Sequence, residues 1–296
     1  MIAIRRPRYR DLPALGELGI RHARDVLPPD FGTLALISPG DVAAAAAGVT
    51  TGETVPLNHS IDAFSLFGRA SAQHRVVAAG RNELEDVIDA FNPQASSQLD
   101  GLAHVRAREF GFFGGGGDVQ AARDAIGMQH WARRGIAGRG VLLDMPAADP
   151  FDGSGLTPAD LRAAADAEGV ELRSGDILLV RTRWAEAYLG AYEPRSETTW
   201  RGLTAGEDTA EFLWDHGISI IGTDNPAVEN SPGSPEAGSL HRRLLPALGM
   251  PMMELLDLER LARRCRADGR WSFLVVSVPL NVQGAVSSPA NAMALF

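Results

Sequence analysis

Eleven consecutive residues, from Gln94 to His104, concentrate side chains that could do chemistry. They read Gln-Ala-Ser-Ser-Gln-Leu-Asp-Gly-Leu-Ala-His and hold amides, hydroxyls, a carboxylate and an imidazole. Asp100 and His104 are the important pair, because a carboxylate and a neutral imidazole are both good ligands for a divalent metal such as Zn²⁺ or Mn²⁺. Their spacing brings them together on one helical turn, and an irregular or extended segment can also do so.

A second group of candidate ligands lies far downstream. His241 occurs in the run Leu-His-Arg-Arg-Leu-Leu, and Glu254 follows between Met253 and Leu255. Burying an ionised carboxylate in such apolar surroundings is costly unless it is paired or binds a metal. Two interpretations of Glu254 therefore stay open: a metal ligand, or the acidic partner of a nearby arginine.

Asp224 and Asn225 form a third candidate group. They follow the apolar run 218–223, and loop residues at the end of a strand often line a site. Asn225 precedes a proline, which favours an extended backbone, and Glu229 is near it in the sequence. A simple turn explains these residues as well as a binding site does.

The elements that must position these groups can be predicted from the rest of the chain. Continuous apolar runs predict strands covered on both faces, at 140–145, 176–182, 218–223 and 272–279. Helices lie between them, beginning after Ser38 and Thr157 and ending at Gly217 and Gly269. We therefore predict a single α/β domain over residues 41–296, preceded by an irregular arm over residues 1–40 that is rich in proline and arginine.

Composition excludes several classes of function. A net charge of −9 argues against nucleic acid as a partner, since phosphate binding needs clustered lysine and arginine. No apolar stretch is long enough to span a membrane and no secretory signal is evident, so we expect a cytoplasmic protein with no membrane partner. The single cysteine, Cys265, excludes an internal disulfide framework. A small-molecule substrate is the expected partner.

Taken together, these motifs resemble the cyclase family of metal-dependent hydrolases, the group that contains bacterial kynurenine formamidase and isatin hydrolase. The resemblance extends over nearly the whole chain. Matching stretches occur in order at 32–34, 91–104, 138–144, 175–182, 222–226 and 240–258.

The family's metal motif can be carried over residue by residue. In kynurenine formamidase-like members it reads His-x-Gly-Thr-His-x-Asp-x-Pro-x-His. Its histidines and aspartate, and the family's further His and Glu ligands, fall on Gln94, Gln98, Asp100, His104, His241 and Glu254. The chain is more similar to a subgroup with the pattern Ser-Gln-Trp-Asp-Gly-Leu-x-His, in which Leu99 replaces the tryptophan.

Glutamine at the first two histidine positions changes the expected cofactor. An amide oxygen is a weaker and harder ligand than an imidazole nitrogen, so a binuclear zinc centre is not expected. The resemblance instead implies one divalent metal, Mn²⁺, Mg²⁺ or Zn²⁺. Its ligands would be Asp100, His241 and Glu254, with Gln98 or His104 nearby.

The resemblance also implies a fold and an activity. The fold is an α/β, swivelling β/β/α arrangement with a mixed sheet, in a homodimer or homotetramer. The implied activity is hydrolysis of a cyclic amide, imide, lactone or formamide-type acyl bond at a site that includes Asp100. His104, or Glu254 if it is not a ligand, is the expected general base. Ser97 or Gln98 is expected to donate to the developing oxyanion, and Asp224 and Asn225 to contact substrate.

Two alternatives stay open beside this prediction. One is a metal-free cyclase or dehydratase that acts on a polyketide-like substrate, with Asp100 and His104 as an acid/base pair. The other is a degenerate member of the family that binds a ligand without turning it over.

Overall fold

A mixed sheet forms the centre of the protein. The structure is a computed structural model, which describes residues 4, 6–15, 19–108, 110–190 and 198–296. Its strands are β1 (Ala14–Leu15), β2 (Ile20–Arg21), β3 (Thr54–Pro56), β4 (Gln73–Gly80), β5 (Glu83–Asp89), β6 (Gln98–Asp100), β7 (Ile136–Asp144), β8 (Gly155–Leu156), β9 (Ile177–Arg181), β10 (Gly202–Leu203), β11 (Ile220–Thr223), β12 (Met252–Glu254), β13 (Ser272–Ser277), β14 (Ser287–Pro289) and β15 (Ala292–Leu295).

The helices connect these strands. They are α1 (Pro39–Ala47), α2 (Val119–Ile126), α3 (Gln129–Arg134), α4 (Pro158–Glu168), α5 (Trp184–Leu189), α6 (Glu207–His216), α7 (Leu240–Arg242) and α8 (Glu259–Asp268). A π-helical turn, Arg243–Leu248, continues α7, and 3₁₀ turns occur at Tyr9–Asp11, Gly32–Leu36 and Pro93–Ala95. Within the described ranges, no helix combines the length and apolar character that crossing a membrane requires.

Strand order explains why the central runs are apolar. Among the described residues, nine strands pair in the order β14-β6-β12-β11-β9-β7-β13-β15-β3. The middle four, β12, β11, β9 and β7, are parallel, and the flanking pairs are antiparallel. Every residue of β9 and β11 is buried, as predicted for strands that are covered on both faces. The predicted α/β fold is confirmed.

Helix boundaries follow the signals read from the sequence. Ser38 and Thr157 each form a capping box with an aspartate three residues later, and a proline occupies the first turn of both helices. Gly217 and Gly269 end α6 and α8 in the left-handed conformation that glycine adopts without strain. These signals fix where the helices begin and end.

The described part of the first 40 residues packs on the same core as the rest of the chain. Residues 1–3, 5 and 16–18 of the predicted arm lie outside the described residues. In the described part, the backbone of Ala23 donates to the carbonyl of Ala247 at 2.9 Å, and Leu12 and Leu27 are buried in the main hydrophobic core. The described part of this segment consists of short strands, 3₁₀ turns and loops, and a domain boundary at residue 41 stays a prediction.

Candidate metal centre

Two short strands place the predicted ligands on one face of the sheet. β6 pairs antiparallel with β12, so that Gln98 lies opposite Glu254 and Asp100 lies opposite Met252. Side chains two residues apart on a strand point to the same face. Leu99 and the residue opposite it are fully buried in the apolar core, which leaves Gln98, Asp100 and Glu254 together on the other face.

His241 completes the group from a distant part of the chain. Asp100, His241 and Glu254 each offer one ligand atom, and these atoms lie within 4.8 Å of one another. His241 Nε2 is 3.0 Å from Glu254 Oε1. The amide of Gln98 donates to Glu254 Oε2 and lies 3.4 Å from Asp100 Oδ2. The structure thus brings together residues that are more than 100 positions apart in the sequence.

The unused oxygen atoms of this cluster fit a cation. Gln98 Oε1, Asp100 Oδ1 and Glu254 Oε1 are buried and accept no hydrogen bond from any described residue. When the imidazole of His241 is protonated, its Nε2 forms an ion pair with Glu254 Oε1 at 3.0 Å, and a metal cation would take the place of that proton. Buried acceptors without donors are costly, and a bound divalent cation would satisfy all three. Carboxylate and amide oxygens with one imidazole are a donor set suited to Mn²⁺, Mg²⁺ or Zn²⁺.

The protonation preferences of Asp100 and His241 also indicate a site for positive charge. Burial, followed by the nearby carboxylate of Glu254, raises the pKa of Asp100 to about 6. Burial opposes ionisation of His241, but its contacts with Glu229 and Glu254 outweigh this and raise its pKa well above the ordinary value. Without a metal, the cluster therefore favours bound protons, which compete with a cation for the same atoms.

His104 lies at the rim of the cluster. It follows β6 after a tight turn, with its backbone N–H donating to Gly101 at 2.9 Å. Its Nε2 is 3.7 Å from Asp100 Oδ2, its Nδ1 is 2.9 Å from the amide of Gln94, and its side chain is 24% exposed. Burial lowers the pKa of His104 despite the opposing charge of Asp100. A neutral, partly exposed imidazole therefore lies beside the buried carboxylates.

Comparison with known proteins identifies the family. The family model described as "Putative cyclase" matches residues 51–230, which is more than half of the chain. The chain belongs to the cyclase family. His241 and Glu254 lie beyond the matched segment, so the structure, rather than this match, places them beside Asp100.

Solved structures support this family membership. A protein described as a novel cyclase is similar with a TM-score of 0.78 and 27% identity, covering 90% of this chain and 96% of its own. Isatin hydrolase A from Labrenzia aggregata gives 0.59 and 19%, covering 86% and 96%. A potential metal-dependent hydrolase with cyclase activity gives 0.54 and 15%, covering 82% and 98%; at these two lower identities the likeness concerns the fold. No curated protein gives a significant match.

Ser97, one of the predicted substrate contacts, is engaged within this cyclase-family fold. Its hydroxyl donates to the carbonyl of Leu255 at 2.5 Å and accepts the backbone N–H of His59 at 2.8 Å. Both bonds join the start of β6 to neighbouring loops, so the hydroxyl is used for architecture. Donation from Ser97 to an oxyanion stays a prediction.

Asp224 and Asn225 are also engaged by the protein itself. Asp224 Oδ1 accepts the backbone N–H of Thr182 at 2.6 Å and its hydroxyl at 2.7 Å. Asn225 donates to the carbonyl of Arg201 at 2.8 Å and is fully buried. Asp224 does line a cavity of about 300 Å³ together with His59, but the three clustered ligands do not line it. Substrate contact by Asp224 and Asn225 stays a prediction.

Two residues that the sequence does not predict as functional lie beside the cluster. The family motif identifies Gln94 only as a position where a histidine ligand is missing, whereas its amide contacts His104. The sequence places Glu229 only near Asn225, whereas its carboxylate lies against His241. The one signal for Glu229 is an acidic residue in a loop that is predicted to line a site.

Proposed function

We propose that this cyclase-family protein is a metal-dependent hydrolase that opens a cyclic amide, imide, lactone or formamide-type acyl bond of a small molecule. The observation that carries the proposal is the buried cluster of Asp100, His241 and Glu254, with three oxygen atoms that no described donor satisfies. Similarity in fold to an isatin hydrolase and to a potential metal-dependent hydrolase supports the class of reaction.

The residues of the proposed site have separate roles. Asp100, His241 and Glu254 would hold one divalent cation, with Gln98 beside them. When bound, the cation would polarise the acyl carbonyl and lower the pKa of a water molecule. His104 accepts a proton from the attacking water at Nε2, the ring nitrogen on the side of the cluster, 3.7 Å from the Asp100 carboxylate.

The same imidazole can then complete the reaction. Water adds to the acyl carbon, the bond from that carbon to nitrogen or oxygen breaks, and the leaving atom takes up the proton held by His104. The products are a carboxylic acid, which loses its remaining proton to solvent, and an amine, amide or alcohol, still joined if the substrate was cyclic. The side-chain amide of Gln94 contacts Nδ1 of His104 and orients the ring; with the amide oxygen turned toward the Nδ1 proton, Nε2 is the nitrogen that takes up and returns the proton.

Metal analysis and a substrate panel test this proposal. Purified protein is assayed for bound metal and for turnover of isatin, lactones and formamides, with and without a chelator. We expect a stoichiometric divalent metal and chelator-sensitive turnover of one class. His104→Ala should abolish turnover, whereas the control His74→Ala, on an exposed hairpin, should leave it unchanged.

Three outcomes would contradict the proposal. Turnover that persists without metal would favour a metal-free cyclase or dehydratase. Tight binding of one compound without turnover would favour a ligand-binding protein. Full activity in both His104→Ala and Asp100→Asn would refute the assignment of the site.

A further inference from the structure

Glu229 lies directly behind the proposed ligand His241. Its Oε2 accepts the backbone N–H of His241 at 3.0 Å, and its Oε1 lies 3.4 Å from His241 Nδ1. The same Oε1 accepts the hydroxyl of Ser239 at 3.3 Å. The Glu229 side chain is 18% exposed and that of His241 is 16% exposed, so both contacts are largely shielded from water.

The imidazole of His241 is held between two carboxylates. Its Nε2 faces Glu254 in the cluster at 3.0 Å, and its Nδ1 faces Glu229 on the opposite side. An acceptor at one ring nitrogen of a histidine keeps the proton there and leaves the lone pair of the other nitrogen free for a metal. Glu229 is therefore in the position that fixes both the tautomer and the orientation of His241.

The backbone around Glu229 is itself fixed. Its carbonyl accepts the indole N–H of Trp200 at 2.9 Å, and the preceding carbonyl of Val228 accepts the N–H of Leu203 at 2.9 Å. Val228 has φ of +57°, a left-handed conformation that a β-branched residue adopts only when its surroundings impose it. The carboxylate is thus presented by a rigid segment, as the support of a metal ligand requires.

We propose that Glu229 is a positioning residue for the metal centre: it holds His241 with the Nδ1 proton directed outward and Nε2 directed into the cluster. This inference rests on the proposed function, because it assigns His241 as a ligand. It explains why a carboxylate that contacts no other proposed ligand is kept beside the site in a mostly buried position.

The test measures metal affinity directly. Titration calorimetry with ZnCl₂ and with MnCl₂ is carried out on the full chain and on Glu229→Gln, which keeps the length of the side chain but replaces one acceptor oxygen with a donor. We expect Glu229→Gln to weaken binding about 10- to 100-fold. The matched control is Glu236→Gln, the same charge change at an exposed position of the loop before His241, and it should change the affinity less than twofold.

Two further variants separate positioning from a merely structural role. Ser239→Ala removes a loop hydrogen bond from Glu229 but leaves its contacts with His241, so it should bind metal like the unmodified chain. Glu229→Asp keeps the charge and should bind more tightly than Glu229→Gln. In the zinc-loaded protein, the Nδ1 proton of His241 should give a slowly exchanging NMR signal that is lost in Glu229→Gln.

Different results overturn the two proposals. If the unmodified chain binds neither zinc nor manganese, the proposed function fails and this inference fails with it. If the unmodified chain binds and Glu229→Gln binds equally well, only the role of Glu229 is overturned. Equal weakening in Ser239→Ala, or an Asp variant no better than Gln, would show that Glu229 merely supports the loop.

Discussion

Replacing Asp100 with asparagine should stabilise the metal-free protein, and saturating metal should cancel that advantage by stabilising only the unmodified chain. In the metal-free protein the carboxylate is buried beside Glu254, and its pKa is raised to about 6 from the ordinary value of 3.8. That difference is worth about 3 kcal/mol. Because the folded-state pKa of an acid is raised, the cost is small below pH 4, grows as the pH rises to 6, and is fully present above it.

Asp100→Asn should therefore stabilise the metal-free protein at pH 8. The expected gain is about 3 kcal/mol, or a rise in melting temperature of about 5 °C, and it should vanish near pH 4. The new amide also offers a donor to the unsatisfied Oε1 of Gln98. Saturating metal should stabilise the unmodified chain by about 2.7 kcal/mol at 100 times its Kd and should leave the variant unchanged.

Calorimetry measures the melting temperature of both proteins at pH 4 and at pH 8. At each pH the measurement is made once with chelator and once with added zinc. Asp166→Asn, an exposed aspartate on α4, is the control and should show no dependence on metal. A metal-free Asp100→Asn protein that melts below the unmodified chain at pH 8 would refute the reasoning, since it would mean that the Asp100 carboxylate is stabilising there. Equal stabilisation of both proteins by zinc would remove Asp100 from the ligand set.

Three other substitutions test neighbouring features. Gln98→His, which replaces an amide oxygen with an imidazole, should raise the affinity for Zn²⁺ relative to Mg²⁺ in a chelator competition, and an unchanged preference would place residue 98 outside the coordination sphere. Asn225→Ala should lower the free energy of unfolding by about 3 kcal/mol in urea titrations, because the buried amide forms hydrogen bonds with Thr223, Arg201 and Val228. A loss below about 0.5 kcal/mol would contradict this. Burial raises the pKa of Glu168 to about 7. Glu168→Gln should therefore stabilise the fold by about 1 kcal/mol at pH 8.5, after allowance for partial exposure, and hardly at pH 5. A larger gain at pH 5 than at pH 8.5 would contradict this sign.

The sequence predicted the frame of the fold where the signal is carried by neighbouring residues. The apolar run at 176–182 contains β9 (Ile177–Arg181), and the Thr157 cap marks the beginning of α4. Such patterns depend on contacts within one element or its immediate neighbours. A fully buried strand must be apolar on both faces and a helix must satisfy its end groups, so these elements are visible in the chain itself.

The strands that carry the site were not visible in this way. β6 (Gln98–Asp100) and β12 (Met252–Glu254) are three residues each, and β6 contains two polar side chains. The extended conformation of β6 comes from pairing with β12 and β14, both more than 100 residues away, rather than from local preference. Family resemblance, not periodicity, linked Asp100 to His241 and Glu254. Glu229 was missed for the same reason, because its role depends on how a distant loop folds back.

The surroundings of Glu254 disfavour one of the two interpretations that the sequence left open, the pairing with an arginine. Among the described residues, its side-chain neighbours within bonding distance are His241 and the amide of Gln98, and no arginine pairs with it. An arginine would neutralise the Glu254 carboxylate with its own fixed charge. Here the carboxylates of Asp100 and Glu254 are instead buried close together, with oxygen atoms that accept no hydrogen bond. A fold keeps such a costly group when function requires it.

The pairing of β6 makes that cost unavoidable. β6 lies between β12 and β14, and both neighbours fix the same alternation, with Leu99 toward the core. A slip of one residue would exchange Leu99 with its polar neighbours and bury charge among apolar side chains, so the sheet strongly disfavours any other register. The carboxylates are thus held together by the sheet and cannot separate to relieve their repulsion. A divalent cation would relieve this repulsion in place, so we expect added metal to raise the stability of the sheet.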